Sequence, residues 1–308
     1  MSLLMCQKPE EIHMNLHVPV MLKEILEHLS LKGKKVIVDG TLGLGGHSKE
    51  ILLSSDQSTL LVAIDRDARS LSMAQENLKE FADRSRFVHD NFRNIESVLS
   101  TLGIEKVDGI VLDLGISSFQ LDDQSRGFSF MKDGPLDMRM DQSAKFPAAY
   151  YVNSFSETEL SDIIKDFGED RWHRRIARSI VTHRLKKPIE TTLELATVVL
   201  KAMPPGRDWE RIHPATRTFQ AFRIMVNKEL ESLESALERC LSVLSVGGRL
   251  CVISFHSLED RIVKRQFRRF SDVGQAKLIT KKPLRPTEEE TRVNPRSRSA
   301  CLRVLERI

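Results

Sequence analysis

The sequence predicts an α/β protein: a parallel, Rossmann-like sheet with helices on both faces, interrupted by an all-helical insertion. Three observations carry this. Short apolar runs alternate with segments of helical spacing at both ends of the chain. The first run opens into a glycine-rich turn. Between about Phe119 and Pro214 no strand pattern occurs.

Val36-Ile37-Val38 reads as a buried strand that ends at Asp39-Gly40. Ser48 to Leu53 is helical, Leu60 to Ile64 is a second strand closed by Asp65, and Leu71 to Phe81 has helical spacing. Phe87-Val88 gives a short third strand. Ile95, Val98, Leu99 and Leu102 form a helical stripe, and Val107 to Leu112 is a strand ending in Asp113. In the insertion, helices are expected over Glu157 to Phe167, Trp172 to His183 and Leu193 to Met203, with turns at Lys132-Asp133-Gly134-Pro135 and Pro204-Pro205-Gly206. One long helix is expected from Ala215 to Leu244, stopped by Gly247-Gly248. Strands at Leu250 to Phe255, Ala276 to Thr280 and Cys301 to Leu305 resume the alternation.

At 308 residues the chain has room for about two domains. Hydrophobic residues make up 41% and charged residues 29%, which excludes a disordered or collagen-like chain. No window approaches the ~18 apolar residues of a membrane helix. Met1 to Cys6 is too short for a signal sequence. Cys6, Cys240, Cys251 and Cys301 are widely spaced, which argues against a disulfide framework and a structural zinc. A cytoplasmic protein without a membrane segment is expected. The net charge of +4 is uneven: residues 261–308 carry a balance of +9 and the rest −5. A basic end on a mildly acidic body suits a polyanionic partner.

The turn Asp39-Gly40-Thr41-Leu42-Gly43-Leu44-Gly45-Gly46-His47 lacks the Gly-Lys-Ser/Thr of a phosphate-binding loop. As a dinucleotide fingerprint it has Ser48 where a third glycine belongs. Asp65, at the end of the second strand, is placed to accept hydrogen bonds from both ribose hydroxyls of an adenosine. S-adenosylmethionine fits better than NAD, because it has no pyrophosphate to demand that glycine. Asp39 is a candidate for its ammonium, or else a turn residue that bonds its own backbone. Phe92 is a candidate to lie against the adenine.

Polar residues gather after two further strand ends, in Asp113 to Asp123 with its continuation Arg126 to Met140, and in Ser254 to Arg261. These stretches resemble the MraW family, also called RsmH, bacterial methyltransferases that modify the exocyclic N4 of a cytidine in 16S ribosomal RNA. The likeness runs from His17-Val18-Pro19-Val20 through Gly45-Gly46-His47, Ala63-Ile64-Asp65-Arg66-Asp67 and His213 to Gln220. It closes with Asn294-Pro295-Arg296-Ser297-Arg298-Ser299. Phe119 departs from it, since many relatives have proline there. The resemblance implies a class I Rossmann-like methyltransferase sheet with an inserted all-helical domain. Residues 1–118 and 215–308 are then a discontinuous S-adenosylmethionine-dependent domain, and 119–214 the substrate-recognition insertion. It implies cofactor contacts from Gly45, Gly46, His47, Asp65, Phe92, Asp113 and Gln120, no metal, and the small ribosomal subunit as partner.

Cytosine N4 is a poor nucleophile, so the main demand is its in-line placement against the methyl carbon. The Asn/Asp/Ser-Pro-Pro-aromatic motif of many DNA amino-methyltransferases is absent. Asp113 and the carbonyls of Leu114 to Ser118 are expected to accept a hydrogen bond from N4–H instead, which turns its lone pair toward the methyl. His256 is a candidate general base. The alternative for its segment is a helix start with Ser257 as cap and Asp260 at the third position. Arg171, Arg174, Arg175 and Arg178 share one helical face. With Arg285, Arg292, Arg296 and Arg298 they are candidates for RNA phosphate contacts, and ion pairs with the acidic stretch Glu157 to Asp170 are the alternative for the helical set. A nucleotide-linked oxidoreductase and a non-catalytic ribosome-assembly factor are the competing readings.

Overall fold

A computed structural model describes residues 19–204 and 213–308. His17, Val18, Pro205 and Gly206, singled out in the sequence, lie outside the described residues. The first half runs α1 (Leu22–Leu29), β1 (Val36–Asp39), α2 (Gly46–Ser54), β2 (Leu60–Asp65), α3 (Ala68–Asn77), β3 (Ser85–His89), α4 (Ile95–Thr101) and β4 (Val107–Asp113). The insertion holds α5 (Ser118–Asp122), α6 (Ala148–Ser154), α7 (Glu157–Gly168), α8 (His173–Arg184) and α9 (Thr192–Ala202). After it come α10 (Ala215–Asn227), α11 (Glu229–Val243), β5 (Leu244–Ser254), α12 (Ser257–Asp272), β6 (Ala276–Leu278), α13 (Glu288–Val293) and β7 (Cys301–Arg307).

The strands form one sheet in the order β3-β2-β1-β4-β5-β7-β6. β1 to β5 are parallel, and β7 runs antiparallel between β5 and β6. Strand order reverses between β1 and β4, so a crevice opens at their carboxyl ends. Apolar clusters cover both faces of the sheet. One contains Ile110, Leu112, Leu237 and Phe267, the other Ile37, Leu61, Val111 and Leu302.

A third apolar cluster belongs to the helical layer and is built around Leu160, Ile164, Ile176 and Leu195. It also takes in Ala215, Phe219 and Phe222 of α10. The expected boundary at residue 214 therefore falls inside a packing unit that continues to Asn227.

The long helix expected from Ala215 to Leu244 is two helices. Lys228 breaks it in the left-handed conformation, φ +49°. Asn227 is buried there, its side chain donating to the Met138 carbonyl (2.7 Å) and accepting from the Met140 amide (2.8 Å). Helical spacing runs through the break because both halves bury an apolar face, one in each layer. Gly247-Gly248 does not end the helix. The chain enters β5 at Leu244, and pairing with β4 jumps from Val107↔Leu244 to Gly109↔Arg249, so 245–248 bulge out.

The two layers are joined by a buried ion pair. Arg126 is fully buried and donates to Asp67 Oδ2 at 2.6 Å, while its Nη2 bonds the carbonyls of Arg139 and Met140. Asp67 also caps α3 through Oδ1 and accepts from Gln120 Nε2 at 2.8 Å. Removing one partner leaves a buried charge without compensation, so Arg126→Ala should lose about 3–5 kcal/mol of stability in urea unfolding. A loss below ~1 kcal/mol would mean that the layers are held by apolar packing alone.

Candidate active site

The crevice contains a cavity of about 940 Å³, within the usual range for small-molecule sites. Its wall brings together Gly45, Gly46, His47, Asp65, Phe92, Asp113 and Gln120. These come from the β1–α2 turn and the ends of β2, β3 and β4, which are adjacent in the sheet although far apart in sequence. Gly45 has φ +84° as the residue before α2. A Cβ on Gly46 would come within 2.8 Å of Pro19 Cγ, so the loop lies too close to the preceding segment for a side chain.

Asp65 is held by two backbone donors, Gly43 N to Oδ2 (2.7 Å) and Asp67 N to Oδ1 (2.8 Å). Each oxygen keeps a lone pair for a ligand hydroxyl. Burial pushes its carboxyl up to about 6, against the pull of those two amides. Asp113 is also raised to about 6 by burial, with His47 drawing it down and Asp39 and Glu259 pushing it up. Its backbone N–H donates to Thr41 Oγ1 at 2.6 Å. Oδ2 lies 3.6 Å from His47 Nδ1, and Oδ1 is buried with no hydrogen-bond partner. His47 Nε2 is 2.9 Å from the Val20 carbonyl, which only accepts, so the imidazole carries a proton there.

Asp39 is not on the cavity wall. It is buried and accepts from Thr41 N (3.1 Å) and Ser48 Oγ (2.7 Å), as the turn residue of the alternative reading. Ser48, where a dinucleotide site has glycine, thus anchors the loop from below. Gln120 lines the cavity, but its amide is engaged on both sides. Oε1 accepts from Ser117 N in a capping box, and Nε2 donates to Asp67.

His256 is not on the wall either, although Phe255 and Glu259 on each side are. It is the N-cap of α12, with Glu259 at the third helical position. The cap therefore sits one residue earlier than the Ser257/Asp260 pattern suggested. Glu259 Oε2 accepts from the Phe255 and His256 amides (2.8 and 3.3 Å), and Oε1 lies 3.2 Å from His256 Nε2. Burial works to raise the Glu259 carboxyl, but His256, Arg223 and the Phe255 amide together hold it below the ordinary range.

Sequence reasoning missed Arg66, Met140 and Glu229 as cavity residues and weighed Glu259 only beside His256; all four line the wall. Glu259 was signalled by its spacing from His256, whereas Glu229 follows a helix break that periodicity hides. Glu229, His256 and Glu259 present ligand atoms within 4.8 Å of one another; the sequence offers His256 and Glu259, with Asp260, as an imitation of a metal site, and the fold puts Glu229 in place of Asp260. Arg223 already donates to both Glu229 oxygens at 2.9 Å and supplies positive charge there.

The expected basic face on α8 is partly engaged. Arg175 Nε donates to the Ala202 carbonyl (2.9 Å), Arg178 lies 3.4 Å from Glu157, and Arg171 and Arg175 flank the Trp172 ring. A second basic face lies on α12. Arg261, Lys264, Arg265, Arg268 and Arg269 are exposed at helical spacing, and Lys264 and Arg265 have no ion pair among the described residues.

This strand order, with a glycine loop after β1 and a carboxylate at the end of β2, defines a class I methyltransferase that uses S-adenosylmethionine. The chain belongs to the MraW methylase family, whose pattern it matches over residues 14–308. It is 48% identical over 307 residues to ribosomal RNA small subunit methyltransferase H of Clostridioides difficile, covering 95% of this chain and 99% of that one. It is 49% identical over 314 residues to the protein of the same name from Geobacter sp. strain M21, covering 97% and 100%. The oxidoreductase reading is thereby set aside. Among the described residues no helix is long and apolar enough to cross a membrane.

The raised Asp65 and Asp113 carboxyls have a pH consequence. The folded chain holds more protons than the unfolded one between pH 3.8 and about 6. These two groups therefore contribute stability that is lost as pH rises through that window. To accept from the ribose hydroxyls, as the sequence leads one to expect, Asp65 must be ionised, so on that expectation binding S-adenosylhomocysteine at pH 6 should release protons. Calorimetry in buffers of different ionisation enthalpy reads this directly. Asp65→Asn should weaken binding and reduce the release, and an unchanged release would remove the ribose assignment.

Proposed function

We propose that the protein transfers a methyl group from S-adenosylmethionine to the exocyclic N4 of a cytidine in small-subunit ribosomal RNA. The observation that carries this is one cavity whose wall brings the glycine loop, Asp65 and Asp113 of the sheet together with Ile116, Gln120 and Met140 of the inserted stretch. The names of the relatives support the RNA class. The cavity residues fit the cofactor: a close-approach glycine turn, a carboxylate with free lone pairs, and Phe92 beside them. The bound cofactor supplies an electrophilic methyl on a sulfonium, whose departure leaves a neutral thioether.

In this reading Asp113 orients the acceptor. Its unpartnered Oδ1 accepts a hydrogen bond from an N4–H and turns the nitrogen lone pair toward the methyl carbon. As the N–C bond forms and the S–C bond breaks, N4 becomes cationic and acidic, and its proton leaves to water or to a neighbouring carboxylate. His256 acts as the cap of α12, its Nδ1 accepting from the Glu259 amide, and not as the base. A base in structured RNA leaves its stack to reach such a site. The insertion with α8, and α12 with the basic tail, would hold the phosphates.

The test is mass analysis of ribosomal-RNA nucleosides from cells with and without the protein. N4-methylated cytidine should disappear without it, and its persistence would overturn the reading. In single-turnover assays at saturating cofactor, Asp113→Ala should lose most activity. His256→Ala should fall by less than the ~10²–10⁴-fold typical of a lost general base, and a loss in that range would restore it as base. Replacing Lys264 and Arg265 with Gln should flatten the dependence of log K on log salt by about 0.7–0.9 per lost phosphate contact. An unchanged slope would place the RNA elsewhere.

A further inference from the structure

The segment Asn294 to Ser299 belongs to the basic tail, yet its Arg296 reaches the cofactor cavity. Arg296 lies in the turn between α13 and β7, and both it and Asp122 line the wall. Arg296 Nη2 donates to both Asp122 oxygens, at 2.9 and 3.1 Å. Its Nε and Nη1 donate to nothing among the described residues. The segment is pinned by its surroundings. Glu290 accepts from the Met21 amide at 2.7 Å, Arg285 bonds the Ser299 and Ala300 carbonyls, and Ser297 is buried with its hydroxyl on the Asn294 carbonyl.

S-adenosylmethionine ends in an α-amino acid, a carboxylate and an ammonium on one carbon. With Asp39 engaged inside its loop, the ammonium loses the partner that the sequence offered. Three long cations line the cavity. Arg66 gives Nη1 to the Asn227 carbonyl. Lys49 faces Glu80 at 3.5 Å. Arg296 alone of the three is joined to a second wall residue of opposite charge.

We propose that Arg296 and Asp122 clamp the amino-acid end of the cofactor, the guanidinium on its carboxylate and the aspartate on its ammonium. The inference rests on the assignment of S-adenosylmethionine to this cavity. An exposed ion pair is worth little by itself, so it separates at small cost and is replaced by two charge-assisted pairs with the zwitterion. The free Nε and Nη1 give the guanidinium an unused edge to offer.

The experiment uses the full chain and two probes in titration calorimetry: S-adenosylhomocysteine, and 5′-methylthioadenosine, which lacks the amino-acid end. Arg296→Ala and Asp122→Asn should each weaken the first about tenfold and the second less than about twofold. Arg296→Lys, which keeps the charge, should recover part of the loss, and Lys49→Ala should change neither probe. Equal weakening of both probes would make the segment a structural brace only, and unchanged S-adenosylhomocysteine affinity would overturn the clamp. Selective loss in Lys49→Ala would move the carboxylate to α2. Failure of the wild-type chain to bind either probe would instead refute the cofactor assignment.

Discussion

A guanidinium with no access to water must find its charge partner inside the protein, and in this chain that requirement organises the site. Arg126 meets Asp67, and Asp67 gives its own amide to Asp65. Asp65 on the cavity wall is thus held by a residue whose side-chain oxygens hold α3, α5 and the helical layer. The helical layer is consequently part of the cofactor site and not an appendage to it. Replacing the pair with apolar side chains of equal volume need not cost stability, since desolvating two charges is itself expensive. It would remove the fixed register between the layers.

Carboxylates on one cavity wall meet different fates because their neighbours differ. Asp65 and Asp113 are raised, having amides or a histidine nearby but no guanidinium in contact. Glu259 has Arg223 and His256 close by and stays ionised under comparable burial. The wall therefore carries both carboxyls raised to about 6, at Asp65 and Asp113, and a carboxyl held below the ordinary range, at Glu259.

The sheet was legible in the sequence because parallel strands buried on both faces read as unbroken apolar runs, and Asp39, Asp65 and Asp113 mark their ends. The glycine turn was legible for the same reason. What escaped depends on side chains that meet across long separations. Asp39 looks like a ligand until Ser48 is seen to satisfy it. His256, a candidate base in the sequence, caps α12 one residue earlier than the Ser257 pattern suggested. The break at Lys228 is invisible to periodicity, since a left-handed lysine leaves the apolar spacing almost intact while redirecting the helix axis. Glu229 and its pairing with Arg223 follow from that turn and could not be read without it.

The interruption of the sheet also bears on how the chain reaches its fold. β4 and β5 are neighbours in the sheet, yet about 130 residues separate them. Bringing the ends of a flexible loop together costs entropy that grows with its length, by about 0.6 kcal/mol per doubling. A helical layer that has already condensed around Leu160, Phe222 and Ile176 holds those ends close and removes most of that cost. The rate at which the sheet closes thus inherits the stability of the inserted layer, so a cavity there would slow assembly of strands it never touches.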